Sequence, residues 1–383
     1  MMIYKIFFIW LLSVGVAFSA PSISSVTSVT DGESATISGA SFGAMGTATP
    51  DFFDTFDAND AGRQNSDTIY SKNSSHYGTW DNDYLDSVPT YTNANQRTGS
   101  VLSSYHHLIC NDGDNNHAYI TSEVYSGNTT GYIMTFWLRM EWDSIEYSYV
   151  GDNIKMFRVN DGVSEADSYT SLQVGTQSGN PLSNHIMMVF IGTNGANWPI
   201  ESDTTLNYTY TESTWSHYII AFHAGTDGNA DGDAVIWVNG NKLEDTTVME
   251  TFEDGDQYDA YTFCYYCANF LAGNVYMQFD DIYIDDTWQT VWLGNNSLWD
   301  NCTAREIQVQ TARSDTSITI TVNQGAFTDT AYMYVMDANG DVNASGYEVS
   351  FSAQSAETFT LKKAETGSSM VKSETGCSFL KGE

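Results

Sequence analysis

Positive charge is scarce in this chain: 14 Lys and Arg stand against 48 Asp and Glu in 383 residues, a formal net charge of −34. Binding to nucleic acid or to an anionic lipid surface begins with Lys and Arg neutralising phosphates, so the balance argues against both partners. Proline is rare, at 5 residues, which suits extended strands because proline removes a ladder donor. Long apolar runs are missing after the first residues. Ile6 to Val16 is the one sustained stretch, too short for the about 20 residues that a membrane-spanning helix needs, so no membrane insertion is expected. Cysteine is sparse and odd in number, at 5, which leaves at least one thiol or an intermolecular bond. Cys264 and Cys267 have the spacing of half a zinc site, but no second close pair accompanies them, and disulfides or free thiols are the preferred reading. Helical periodicity is nearly absent.

What is present begins with an export signal. Lys5, the apolar run and Ala17-Phe18-Ser19 read as residues 1–19 of a signal peptide cut after Ser19. The expectation is a secreted or cell-surface protein, in which disulfides are permitted. Aromatic residues at 14% and apolar residues at 42% supply a packed core and exclude an acidic disordered chain. Runs rich in Thr, Tyr, Val and Ile alternate in polarity between Gly, Asn and Asp punctuation. Ser317 to Val322 places Ile318, Ile320 and Val322 on one face and Ser317, Thr319 and Thr321 on the other, a half-buried antiparallel strand. Asp233 to Val238 is a second strand, ending in the hairpin signal Asn239-Gly240. The expected class is all-β.

Three zones follow the signal: residues 20–44, with two strand patterns; the aromatic-rich residues 51–300; and residues 303–352, again short Thr/Val/Ile strands. Residues 353–383 carry a nine-residue near-repeat, Lys363 to Val371 and Lys372 to Leu380, and read as a flexible tail, with a sorting or cross-linking role for Cys377 as the alternative.

The run Pro21 to Val29 with Asp31 to Gly43, ending in Gly39-Ala-Ser-Phe-Gly43, resembles the opening of an IPT/TIG immunoglobulin-like domain. Ala304–Val309, Ser317–Val322 and Ala331–Phe351 resemble that family's later strands. Two strands cannot bury a sandwich core alone, so residues 20–44 and 303–352 are expected to fold together with the middle zone inserted. The alternative is two separate modules. The middle zone resembles concanavalin A-like jelly rolls of the laminin-G, legume-lectin and glucanase group. The residues that carry this are Trp215–Phe222 with Ala234–Gly240, Phe279–Thr287 beside Phe52–Phe56, and Tyr132–Arg139 with Asn153–Arg158.

Several residues are candidates for chemistry. Asp227, Asn229, Asp231 and Asp233 match the first half of a calcium loop, with Gly232 for the turn. Val238 replaces the twelfth-position Glu, so this is no EF-hand, and a polar hairpin is the plain alternative. The jelly-roll resemblance implies a second calcium site where terminal strands meet, at Asp54, Asp57, Asp280 and Asp281; solvated strand ends are the alternative. Glu141-Trp-Asp-Ser-Ile-Glu146 resembles the Glu-x-Asp-x-x-Glu of laminarinase-type glucanases, which implies Glu141 as nucleophile and Glu146 as general acid. Retaining hydrolysis needs those carboxyls about 5–5.5 Å apart, whereas a regular strand points them to opposite faces, so a bulge is required. A lyase would use Lys155 or Arg158 to neutralise a substrate carboxylate and His185, Tyr218 or His223 as base. Trp198, Tyr265 and Tyr266 are the aromatics expected to stack on sugar rings. Asn128 and Asn207 begin glycosylation sequons.

Together these features point to a secreted or surface carbohydrate-binding or adhesion protein, calcium-supported, with a polysaccharide or surface glycan as partner. The first alternative is a polysaccharide-cleaving hydrolase or lyase. The second is a structural subunit that self-associates in an extracellular layer or filament.

Overall fold

The computed structural model describes residues 19–57, 63–69, 77–80, 88–111, 120–123, 130–147, 153–160, 169–175, 186–191, 210–226, 229–250, 260–268, 270–351, 369–373 and 376–380. The expected export signal, apart from Ser19, lies outside them. In chain order the strands are β1 (Ser22–Val26), β2 (Ser34–Ala40), β3 (Phe52–Asp54), β4 (Thr90–Thr92), β5 (Ser103–Asn111), β6 (Ile120–Glu123), β7 (Gly131–Tyr147) and β8 (Asn153–Asn160). They continue with β9 (Tyr169–Gly175), β10 (Ile186–Ile191), β11 (Ser216–His223), β12 (Ala230–Val238), β13 (Asn241–Glu250), β14 (Ala260–Ala268) and β15 (Phe270–Asp285). The last are β16 (Val291–Gly294), β17 (Arg305–Arg313), β18 (Ser317–Thr321), β19 (Thr330–Val335), β20 (Tyr347–Ser350), β21 (Ser369–Ser373) and β22 (Gly376–Leu380). No α-helix occurs among the described residues, and none of their helices is long and apolar enough to cross a membrane.

The chain is an all-β, antiparallel jelly-roll sandwich joined to a smaller β-sandwich. In the larger one, an eight-stranded sheet (β13-β12-β11-β7-β15-β5-β4, with β3 on β15) faces a five-stranded sheet (β10-β9-β8-β14-β6). Alternation sends Tyr132, Met134, Phe136 and Leu138 of β7 and Val275, Met277 and Phe279 of β15 into the space between them. They meet Ile154 and Val159 of β8 and Tyr261 and Phe263 of β14. Phe136 and Phe263 touch across that space edge to face, with ring centroids 5.6 Å apart. The opening strand β3 pairs with the closing strand β15, Asp54 opposite Ile282 and Phe52 opposite Ile284. Asn239 and Gly240 make the β12–β13 turn with φ of 48° and 79°. A Cβ on Gly240 would lie 1.9 Å from the Cys302 carbonyl oxygen, so the turn requires glycine twice over.

The smaller sandwich is one seven-stranded sheet, β1-β2-β18-β17-β16-β19-β20, closed by a parallel bridge between Val29 and Phe351. β2 from the first zone pairs with β18 from the last, and both contribute to one core. Ile318, Ile320 and Val322 are buried there, while Thr321 stays exposed. β16, from the end of the middle zone, lies at the centre of this sheet between β17 and β19. It faces two ways: Val291 and Leu293 enter the small core, and Trp292 enters a second cluster with Ile133, Ile219 and Trp237 of the large sheet. That cluster covers one end of the large sheet's outer face. The tail strands β21 and β22 pair with each other in a compact unit of their own.

Candidate active site

The other end of that outer face carries a polar patch. Strand register sets it out: Tyr276 of β15 lies opposite His107 of β5 on one side and Glu141 of β7 on the other, and Gln278 lies opposite Arg139. Asn274, Tyr276 and Gln278 alternate with the core residues Val275, Met277 and Phe279, so three positions of one strand share this face. Directly opposed residues have Cβ atoms about 4.5–5.5 Å apart, which brings an imidazole, a phenol, a carboxylate and a guanidinium together. His107 stacks on Tyr276 with centroids 4.7 Å apart, and Tyr105 stacks on the same ring at 6.1 Å. Burial, the neighbouring Tyr276 and Glu141 raise the Tyr105 phenol above its usual range.

His107 Nε2 lies 2.9 Å from Asn274 Oδ1. An amide oxygen only accepts, so Nε2 carries the hydrogen and the neutral ring keeps its lone pair on Nδ1. Arg139 donates from Nη1 to Gln278 Oε1 at 3.0 Å and from Nη2 to Glu141 Oε2 at 2.6 Å. Its Nε and the Asn274 Nδ2 make no hydrogen bond among the described residues. Two loops flank the patch. Ala94 accepts from Gln278 Nε2 at 2.8 Å on one side, and Ser213 donates to Glu141 Oε2 at 2.9 Å on the other. Trp215 Nε1 donates to the Asn95 carbonyl at 2.7 Å and ties the loops together.

The residues singled out from sequence are placed as follows. Between Asp143 and Glu146 the β7–β15 register slips by one, so Glu141 pairs with Tyr276 and Glu146 with Ala272. This is the bulge that the Glu141/Glu146 spacing requires; the Glu146 side chain lies outside the described residues. Glu141 is held by Arg139 and Ser213. The terminal acids divide between two arginines, Asp54 at Arg63 and the other three around Arg97. Asp54 accepts from Phe56 N, both terminal nitrogens of Arg63 (2.7 and 3.2 Å) and Trp80 Nε1 at 2.7 Å. Asp280 and Asp281 bind Arg97. Guanidinium groups thus occupy the carboxylate oxygens that calcium would need, and these residues do not fit the ion. Asp57 lies near enough to Asp280 and Arg97 to act on the charge of both, and accepts from Val101 N at 2.7 Å and Leu102 N at 3.0 Å. In the candidate calcium loop Asp227 lies outside the described residues, Asn229 is exposed, Asp231 accepts from the Thr226 backbone and hydroxyl at 2.6 and 2.7 Å, and Asp233 faces His223 at 3.5 Å. One acidic group does converge among the described residues: Asp51, Asp285 and Asp286 have oxygens within 4.8 Å of one another.

Of the lyase candidates, Tyr218 is buried in the large core against Phe136, His223 stacks on Trp288, and Arg158 is buried in the five-stranded sheet. Trp198 and His185, and the side chains of Lys155, Tyr265 and Tyr266, lie outside the described residues. Sequence reasoning did not single out His107, Tyr276, Gln278 or Arg139. The signal was the run Asn274-x-Tyr-x-Gln-x-Asp280, polar residues interleaved with Val, Met and Phe on a strand buried on its other side.

No protein-family model matches the chain, and no curated protein matches it. Among solved structures it is similar to an endo-β-1,4-glucuronan lyase from the fungus Trichoderma reesei, at 13% identity over 63% of this chain and 97% of that one, with a TM-score of 0.40. It is also similar to alginate lyase Aly36B, at 15% identity over 48% and 80%, with a TM-score of 0.35. A third is the botulinum neurotoxin serotype G binding domain, at 11% identity over 75% and 72%, with a TM-score of 0.35.

Proposed function

We propose that this protein cleaves a uronate-bearing polysaccharide by β-elimination at the open outer face of its large sheet. The observation that carries the reading is the row His107–Tyr276–Glu141 with Arg139 beside it. Elimination needs a group to take the proton alpha to the carboxylate, a group to protonate the departing oxygen, and a cation at the carboxylate. His107 Nδ1 serves as base and receives the C5 proton. The electron pair forms the C4–C5 double bond, the C4–O bond breaks, and the Tyr276 hydroxyl protonates the leaving oxygen. Arg139, aimed by Gln278 and Glu141, and the Asn274 amide supply donors to substrate oxygens. The net charge of −34 opposes an anionic polymer; in this patch Arg139 balances Glu141, so the pair adds no net negative charge there.

Hydrolysis by Glu141 with Glu146 is the second reading, supported by the bulge between them. The pairing of Glu141 with Arg139 at 2.6 Å favours a positioning role for that carboxylate. A panel of neutral and uronate polysaccharides separates the readings. Elimination yields unsaturated uronates, which absorb in the near ultraviolet. New reducing ends without that absorbance, lost in Glu141→Gln, support hydrolysis. Retention on the polymer with no product supports a binding protein.

A further inference from the structure

A second cleft lies where the two sandwiches meet, away from the polar patch. It encloses about 380 Å³, within the range of about 300–1,000 Å³ for small-molecule sites, which favour such junctions. The small sandwich contributes Asp31 from its first turn, Thr321 at the end of β18 and Asn323 just after it; the large one contributes Phe53, Asp57 and Tyr77. Backbone geometry brings the two modules into contact at the cleft's edge. Gly99 (φ 94°) and Gly325 (φ 53°) line it from opposite modules, and a Cβ on Gly99 would lie 2.5 Å from the Gly325 oxygen. Each acid already has one oxygen committed. Asp57 Oδ1 accepts from Val101 N, Leu102 N and the Ser100 hydroxyl, and Asp31 Oδ1 accepts from Gln324 N at 2.9 Å. Their Oδ2 atoms make no hydrogen bond among the described residues.

We infer that this cleft is a binding site for a neutral sugar unit, separate from the site of cleavage. Fixed carboxylate acceptors, an Asn and a Thr suit the many hydroxyl donors of a hexose, and the half-buried Tyr77 ring suits its apolar ring face, while Phe53 stays in the core. Asp31 and Asp57 repel a uronate, so charge divides the two sites: anionic units at the Arg139 patch, uncharged units here. The inference does not rest on the reaction assigned to that patch.

The test is titration of the whole protein with neutral gluco-, manno- and galacto-oligosaccharides and with an oligouronate, followed by calorimetry. The expected result is binding of at least one neutral series that Tyr77→Ala weakens about fivefold or more. Thr321→Trp, at an exposed strand position on the cleft wall, abolishes binding by filling the space. Thr321→Trp keeps its melting temperature, because Thr321 is exposed; Tyr77 packs against the second core cluster, so binding by Tyr77→Ala is measured below the onset of that variant's own melting curve. Binding unchanged in Thr321→Trp, or no heat with any neutral series, overturns the inference. An oligouronate bound more tightly than the neutral sugars and displaced by Thr321→Trp overturns the charge division.

Discussion

Arg97 and Glu306, 209 residues apart in the chain, meet in a 3.1 Å ion pair between the two sandwiches, and both are buried. Arg97 also binds Asp280 at 3.1 Å and Asp281, and its guanidinium lies 5.1 Å from the Trp137 ring centroid. Three buried carboxylates thus share one cation. Removing the cation strands all three, so Arg97→Met is expected to destabilise by about 3–5 kcal/mol. Glu306→Gln removes part of the excess negative charge and is expected to cost less. Denaturant midpoints of the two variants check the order.

Arg305 offers the contrast. It is as buried, yet among the described residues its Nε and Nη1 have no partner; Nη2 donates to the Trp299 carbonyl at 2.7 Å, and the group lies 4.0 Å over the Trp299 ring. Burial pulls it down to about 10. A cation so poorly compensated contributes little, and an apolar side chain of similar length serves as well. Arg305→Met is expected to change stability by no more than about 1 kcal/mol in either direction, far less than Arg97→Met under the same denaturant.

Stability is expected to fall as pH rises from about 6.5 to 8.5. Burial pushes Asp280 up to about 8 and Asp51 up to about 7, while an unfolded Asp releases its proton near 3.9. The folded chain therefore holds more protons through this interval, and each such group lowers stability by up to about 1.4 kcal/mol per pH unit. Below about 6.5 the trend is opposed, because burial holds His217 neutral whereas the unfolded imidazole takes up a proton. Melting temperature against pH checks this, and Asp280→Asn is expected to flatten the upper limb.

Tyr276→Phe and His107→Ala are each expected to lower cleavage by about 10²–10⁴-fold. Both side chains are half-buried on the outer face, so thermal stability stays close to that of the parent. Arg139→Gln tests the cation, with a larger loss on a uronate substrate than in overall fold stability. Turnover with parallel melting curves distinguishes these outcomes from simple unfolding.

Sheet class and several local features were legible in the sequence because they depend on neighbours in the chain. The alternation Ser317 to Val322 gave its own buried face, and Asn239-Gly240 specified a turn with two positive φ angles. The pairing of β3 with β15 followed from the resemblance of the two end strands. The polar patch was not legible, because it depends on the register of β5, β7 and β15, whose members are brought together from positions 103 to 285. Asp54, Asp280 and Asp281 were read as needing a metal counter-charge. Arg63 and Arg97, in loops with no pattern of their own, supply it instead. The four residues Val291–Gly294 are buried throughout, and a short apolar strand carries no mark of which sheet it joins.

The most direct measurement is mass spectrometry of oligosaccharides released from a uronate polysaccharide in water enriched in heavy oxygen. Elimination breaks the C4–O bond without water, so the account predicts unsaturated products that carry no heavy oxygen, at a rate abolished by Tyr276→Phe. Products that each gain one heavy oxygen, or a rate unaffected by Tyr276→Phe, would contradict it.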